Sequence, residues 1–157
     1  MHRGNPSSLQ MQILLIEDNP ADVELTRQCF RSSRISNEVH AAMDSETAFA
    51  FLHRKREFAD APSPDLILLD LNLPGTDGRE ILAAIKLDPE LRVIPVIVLT
   101  TSDSDADVAE AYRLHANSYL RKPVDLDEFF DLADTICGYW SRCVRLPQVG
   151  RTAITHR

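Results

Sequence analysis

The sequence predicts an α/β fold in which one parallel sheet carries helices on both faces. Short apolar runs of strand length, QILLIE (12–17), DLILLD (65–70) and PVIVLT (95–100), alternate with longer segments of helical periodicity. Each run leads into polar residues, as a strand buried on both faces does where its end leaves the core. At 157 residues the chain is long enough for one sizeable core and too short for two.

The elements follow in order. The first strand, 12–17, leads to a helix over 19–33 whose Val23, Cys29 and Phe30, with Leu25 beside them, form an apolar face. NEVHAAM (37–43) is a second, more polar strand, which places it near a sheet edge. The next helix starts at an N-cap on Asp44 or Ser45, turns Ala48, Phe49 and Leu52 inward, and ends in the charged run HRKRE, a solvated helix end. The third strand, 65–70, is followed by a helix from Gly78 to Leu87, closed by Asp88-Pro89. The fourth strand is 95–100. Ser104 or Asp105 caps a helix to about Leu114, SYLRK (118–122) is a short fifth strand, and Asp125 opens a long helix through about Arg142. Residues 1–10 and 147–157 are polar and aperiodic, and are expected to be flexible ends around a domain at 11–146.

Composition excludes several functions. With 24 acidic and 17 basic residues the net charge is −7, and no stretch gathers Lys and Arg into a phosphate-tracking stripe, so direct nucleic-acid binding is not expected. The three cysteines, Cys29, Cys137 and Cys143, show no CxxC spacing and read as buried, reduced thiols. No signal-peptide core or membrane-length apolar run is present, which gives the expectation of a soluble cytoplasmic protein without membrane contact.

In a parallel sheet of this kind the site lies at the C-terminal ends of the strands. There the first strand carries Glu17-Asp18, the third Asp70, the fourth Thr100, and the fifth Lys122-Pro123. The common order 2-1-3-4-5 makes the first and third strands neighbours and gathers Glu17, Asp18 and Asp70. Three carboxylates so placed need a compensating cation, and Mg²⁺, a hard oxygen-seeking ion that keeps several waters, meets that need. Thr100 and Lys122 bring a hydroxyl and an ammonium from the other side, suited to the oxygens of a phosphoryl group carried by Asp70 as nucleophile.

The motifs IEDNPAD, LILLDLNLPGTDG, IPVIVLTTS and SYLRKPVD, in this order and spacing, resemble the receiver domain of two-component response regulators, a flavodoxin-like (βα)5 fold, over about Met11 to Trp140. The resemblance implies that Asp70 is the phosphoacceptor, that Asp18 binds Mg²⁺ directly and Glu17 directly or through water, and that the Asn72 backbone carbonyl completes the metal site. It further implies Thr100 as switch hydroxyl, Lys122 as phosphate contact, a cis peptide at Lys122-Pro123, Tyr119 as an inward-swinging aromatic, and Asn72 and Ser102 as positions tuning hydrolysis of the acyl phosphate. His115 stands where most members have a capping glycine, so either the cap differs or His115 adopts an unusual backbone conformation. With NPADVELT and the YW..C..LP pattern of Tyr139 to Pro147, the chain is similar to the single-domain regulators that serve bacterial phytochromes. The implied partners are a phytochrome-like sensor histidine kinase and a second copy of the chain.

Taken singly, each signal has a plainer explanation. Glu17-Asp18 could serve as a helix cap pair, Thr100 as an ordinary β-branched strand residue, Lys122 as a solvated end, and Tyr119 as packing against the fourth helix. His40, His53 and His115 lack matching partners at helix spacing and carry no metal or relay expectation. The rival functions are a Mg²⁺-dependent phosphatase with an aspartyl nucleophile and a phosphorylation-independent dimeric adaptor. The phosphatase chemistry normally places an acid two residues beyond the nucleophile, and here that residue is Asn72.

Overall fold

A computed structural model of the chain describes residues 10–73 and 77–147. The segments 1–9 and 148–157, which hold most of the two expected flexible ends, and the Pro-Gly-Thr stretch at 74–76, where the sequence suggests a turn, lie outside the described residues.

The order is β1 (Met11–Ile16), α1 (Pro20–Arg31), β2 (Asn37–Ala42), α2 (Ser45–Leu52), β3 (Leu66–Leu69), α3 (Gly78–Leu87), β4 (Val96–Thr100), α4 (Asp105–Arg113), β5 (Ser118–Arg121) and α5 (Leu126–Gly138). The five strands form one parallel sheet ordered β2-β1-β3-β4-β5, as expected, with the polar β2 at an edge. No helix among the described residues is long and apolar enough to cross a membrane.

Side-chain alternation splits the central strands between two cores. Ile13, Leu15, Leu66, Leu68, Ile97 and Leu99 pack with α1 and α5 through Phe30, Cys29, Phe129 and Ile136. Leu14, Ile16, Ile67, Leu69, Val96 and Val98 pack with α2, α3 and α4 through Phe51, Leu82, Ile85 and Ala111. This is why β3 reads as an unbroken apolar run: both faces are covered, and each fully buried Leu or Ile contributes about 1.5–3 kcal/mol.

Each helix begins on a side-chain cap: Asn19, Asp44, Asp77, Ser104 and Asp125 each accept a hydrogen bond from a first-turn amide. Asn19 therefore does the capping that Glu17-Asp18 could have done. On α2 the buried aromatic is Phe51, while Phe49 is only partly buried, because α2 ends at Leu52 and its short apolar face is centred on Ala48 and Phe51. The HRKRE run is more structured than expected. Arg54 and Arg56 both take positive φ, of 56° and 57°, and a 3₁₀ turn spans Arg56–Phe58. The last helix closes in a π turn at Tyr139–Cys143, which leaves the Cys143 thiol exposed rather than buried; Cys29 and Cys137 are buried and unpaired.

His115 resolves the cap question. It adopts φ 74°, its N–H donates to the Tyr112 carbonyl (3.0 Å), and the Ala116 N–H donates to the Ala111 carbonyl (3.0 Å). This is a Schellman cap built on histidine instead of glycine, with His115 accepting the left-handed conformation.

Candidate functional site

The sheet ladder runs one residue past three strands and fixes the site's backbone. The Glu17 N–H donates to the Ala42 carbonyl (3.0 Å), the Asp70 N–H to Ile16 (3.1 Å), and the Lys122 N–H to Thr100 (2.7 Å). Register places Ile16 opposite Leu69, Leu69 opposite Val98, and Thr100 opposite Arg121. Glu17, Asp70, Thr100 and Lys122 consequently come to one rim, and all four are buried, with Asp70 at 7 % exposure and Lys122 at 8 %.

Their side chains form one network. The Lys122 ammonium lies 2.6 Å from Glu17 Oε1, 3.2 Å from Asp70 Oδ2 and 3.7 Å from Asp22 Oδ2. Asp70 Oδ1 accepts from the Thr100 hydroxyl (3.1 Å) and the Asn72 backbone N–H (3.0 Å), and the Asn72 side-chain amide donates to Thr100 Oγ1 (3.1 Å). Asp70 is thus held between a hydroxyl and an ammonium. Burial pushes the Glu17 carboxyl up to about 7 although Lys122 pulls it down. Burial alone would lower Lys122, but Glu17, Asp70 and Asp22 outweigh it and raise its affinity for its proton.

One ammonium faces the carboxylates of Glu17, Asp22 and Asp70, and Asp18 stands half-buried beside Glu17. This surplus of negative charge and the all-oxygen donors fit a hard divalent cation, which needs only one or two carboxylates and completes its shell with water. Among the described residues, however, no three acidic, His or Cys side chains converge as a ready cage. The expected three-carboxylate cluster is opened by Lys122, which takes oxygens of both Glu17 and Asp70.

A second departure concerns the Lys122-Pro123 bond, which is trans; no cis peptide occurs among the described residues. Trans is the form an X-Pro amide favours by about 0.5–1 kcal/mol. Tyr119 is half-buried against the α3/α4 core, and its hydroxyl donates to the Ser102 carbonyl (2.9 Å). The Ser102 hydroxyl is taken by Asp107, whose carboxyl is held below the usual range by Ser102 first and then by Arg79. Sequence reasoning missed Asp22, Arg79 and Asp107. Asp22 sits one turn along from Glu17-Asp18 in a helix start, and nothing in its spacing marks it off from an ordinary acidic first turn.

Comparison with known proteins gives the chain's family. A family model described as the response regulator receiver domain matches residues 13–134. The response regulator Rcp1 of Synechocystis sp. is 46% identical over 135 residues, covering 86% of this chain and 92% of Rcp1. Among solved structures, the phosphorylated cyanobacterial phytochrome response regulator RcpA superposes with a TM-score of 0.81 at 43% identity, covering 88% of this chain and 99% of that one. The Mn²⁺-bound form of Rcp1 does so with 0.78 at 45% identity, covering 87% and 99%.

Proposed function

The chain belongs to the response regulator receiver family, and on that premise we propose that it accepts a phosphoryl group on Asp70 from a phytochrome-like sensor histidine kinase. The observation that carries this reading is the placement of Asp70: a buried carboxylate at the end of the central strand, with the Thr100 hydroxyl on one oxygen and the Lys122 ammonium on the other.

In the reaction an Asp70 oxygen forms a bond to phosphorus while the phosphorus–nitrogen bond of the kinase's phosphohistidine breaks, and the imidazole nitrogen keeps the electron pair. Lys122 neutralises charge on the incoming phosphoryl oxygens, and Thr100 offers them a hydrogen bond. Mg²⁺, held by Asp18, Asp70, the Asn72 carbonyl and Glu17 directly or through water, would supply further charge neutralisation when bound. Asn72, whose amide rests on Thr100, and Ser102, whose hydroxyl rests on Asp107, are the side chains proposed to tune hydrolysis of the product. The signal then leaves as changed contacts with other proteins in the cytoplasm, without direct DNA binding.

The likeness to RcpA, a phytochrome response regulator, supports the kinase class, and the Mn²⁺ form of Rcp1 supports a divalent cation. A small phosphodonor with Mg²⁺ tests the chemistry. One phosphoryl group per chain is expected, released by hydroxylamine as an acyl phosphate is. Continuous turnover of phosphomonoesters would instead favour the phosphatase, a reading that Asn72 weakens because an amide cannot donate a catalytic proton and recover it. Absence of any label would favour the adaptor.

The same reading includes a homodimer. Tyr139 stays 53% exposed beyond α5 and Tyr112 49% exposed on α4, aromatic area of the kind that partner surfaces use. Light scattering at micromolar concentration is expected to return the mass of two chains, and a mass of one chain in both phosphorylation states would refute it.

A further inference from the structure

We propose that Arg79 and Asp107 form a latch that holds the loop after β4 and so sets how readily Asp70 is phosphorylated, an inference that rests on Asp70 being the phosphoacceptor. Neither residue touches Asp70; both are positioning residues.

The Arg79 guanidinium, in the first turn of α3, reaches across to the Asp107 carboxylate in the first turn of α4. It is braced from behind by Asp77, the α3 cap, at 3.1 Å. The other Asp107 oxygen accepts the Ser102 hydroxyl, and the Asp107 N–H donates to Ser104 (3.1 Å). On its inner side the same loop is tied by Tyr119 to the Ser102 carbonyl (2.9 Å) and by Thr100 to Asp70 (3.1 Å). The segment 100–104 is therefore fastened inward to the phosphoacceptor and outward, through Asp107, to α3.

Addition of a phosphoryl group to Asp70 inserts a phosphorus and three oxygens where Thr100 now meets the carboxylate. For its hydroxyl to reach a phosphoryl oxygen, the segment 100–104 has to shift, and the outer fastening opposes that shift. The Arg79 and Asp107 side chains are each 27% exposed, so their attraction is only partly screened by solvent. A guanidinium forked between two carboxylates is also geometrically stiff, which a flexible point charge is not. Loosening this pair lowers the resistance to the shift without removing any group that contacts the phosphoryl site.

Acetyl phosphate with Mg²⁺ is the probe: an Asp70 oxygen bonds to phosphorus, the bond from phosphorus to the acetate oxygen breaks, and acetate leaves with the electron pair. Arg79→Gln is expected to label about threefold faster than wild type, the scale of a partly exposed ion pair. Arg79→Lys, which keeps the charge, should return most of the way to the wild-type rate. Asp107→Asn should match Arg79→Gln, and the double variant should be no faster than either single one. Circular dichroism and a urea midpoint on each protein separate a rate effect from lost fold, and Asp107→Asn carries the test if Arg79→Gln is unfolded. Labelling of wild type with unchanged or slower rates in both folded single variants, or additive effects in the double, overturns the latch alone. A wild type that takes no label overturns the Asp70 reading beneath it.

Discussion

An Asp70→Asn chain is expected to take up no phosphoryl group from any donor and yet to remain folded, with stability within about 1 kcal/mol of wild type. The two halves of this result have separate causes. A neutral amide lacks the negative charge that makes the carboxylate oxygen a nucleophile toward phosphorus, so the acyl phosphate cannot form. The fold survives because the charge left behind is still matched: Lys122 keeps Glu17 at 2.6 Å and Asp22 at 3.7 Å. The asparagine oxygen can still accept from Thr100 and from the Asn72 N–H, as Asp70 Oδ1 does. Breaking a buried ion pair commonly costs about 3–5 kcal/mol because one charge is stranded, and here none is. Intact-mass spectrometry after phosphodonor treatment reads the first half, and a urea titration the second. Label persisting in the variant would move the phosphoacceptor elsewhere. A collapse of stability would mean that Asp70 is first of all a structural partner of Lys122.

Much of this rim was legible because sheet topology converts sequence order into place. Once LILLD, PVIVLT and SYLRK are read as parallel strands, their terminal polar residues must share one edge, and Asp70, Thr100 and Lys122 do. What the sequence did not reveal are contacts set by side-chain reach between elements. The sequence marks Lys122 as a ligand for phosphoryl oxygens, but its ammonium also separates Glu17 from Asp70, an outcome that depends on a long flexible stem finding the nearest buried charge. Arg79 and Asp107 lie 28 residues apart on two helix starts, each unremarkable as an acidic or basic residue in a first turn. The trans Lys122-Pro123 bond and the left-handed His115 show the converse. A family pattern supplied the first expectation and raised the doubt about the second, and local geometry answered both.

Gly78→Ala is expected to lose about 3 kcal/mol, at the upper end of overpacking costs, and to disturb the site with it. Gly78 opens α3, and its N–H donates to the Leu71 carbonyl at 3.1 Å. A Cβ there would stand 2.5 Å from Leu71 Cα, 2.6 Å from the Asp70 carbonyl oxygen and 2.9 Å from that of Leu71. All three are backbone atoms of the segment that leaves β3, and no side chain can swing aside to make room. Either α3 lifts away from the sheet, exposing Ile81, Leu82 and Ile85, or the backbone at Asp70 gives way and carries its carboxylate with it. Gly138→Ala is the matched control. The same methyl group there meets nothing within 4 Å, and in a helix alanine is favoured over glycine by about 0.8–1.0 kcal/mol. In urea, with a slope of about 1–3 kcal/mol per molar, the Gly78 variant should unfold at a midpoint at least about 1 M lower while the Gly138 variant does not fall. Equal midpoints for the two variants would show that α3 can retreat without cost. The glycine would then have no part in positioning Asp70, and the close approach of α3 to β3 would be incidental to the chemistry at the rim.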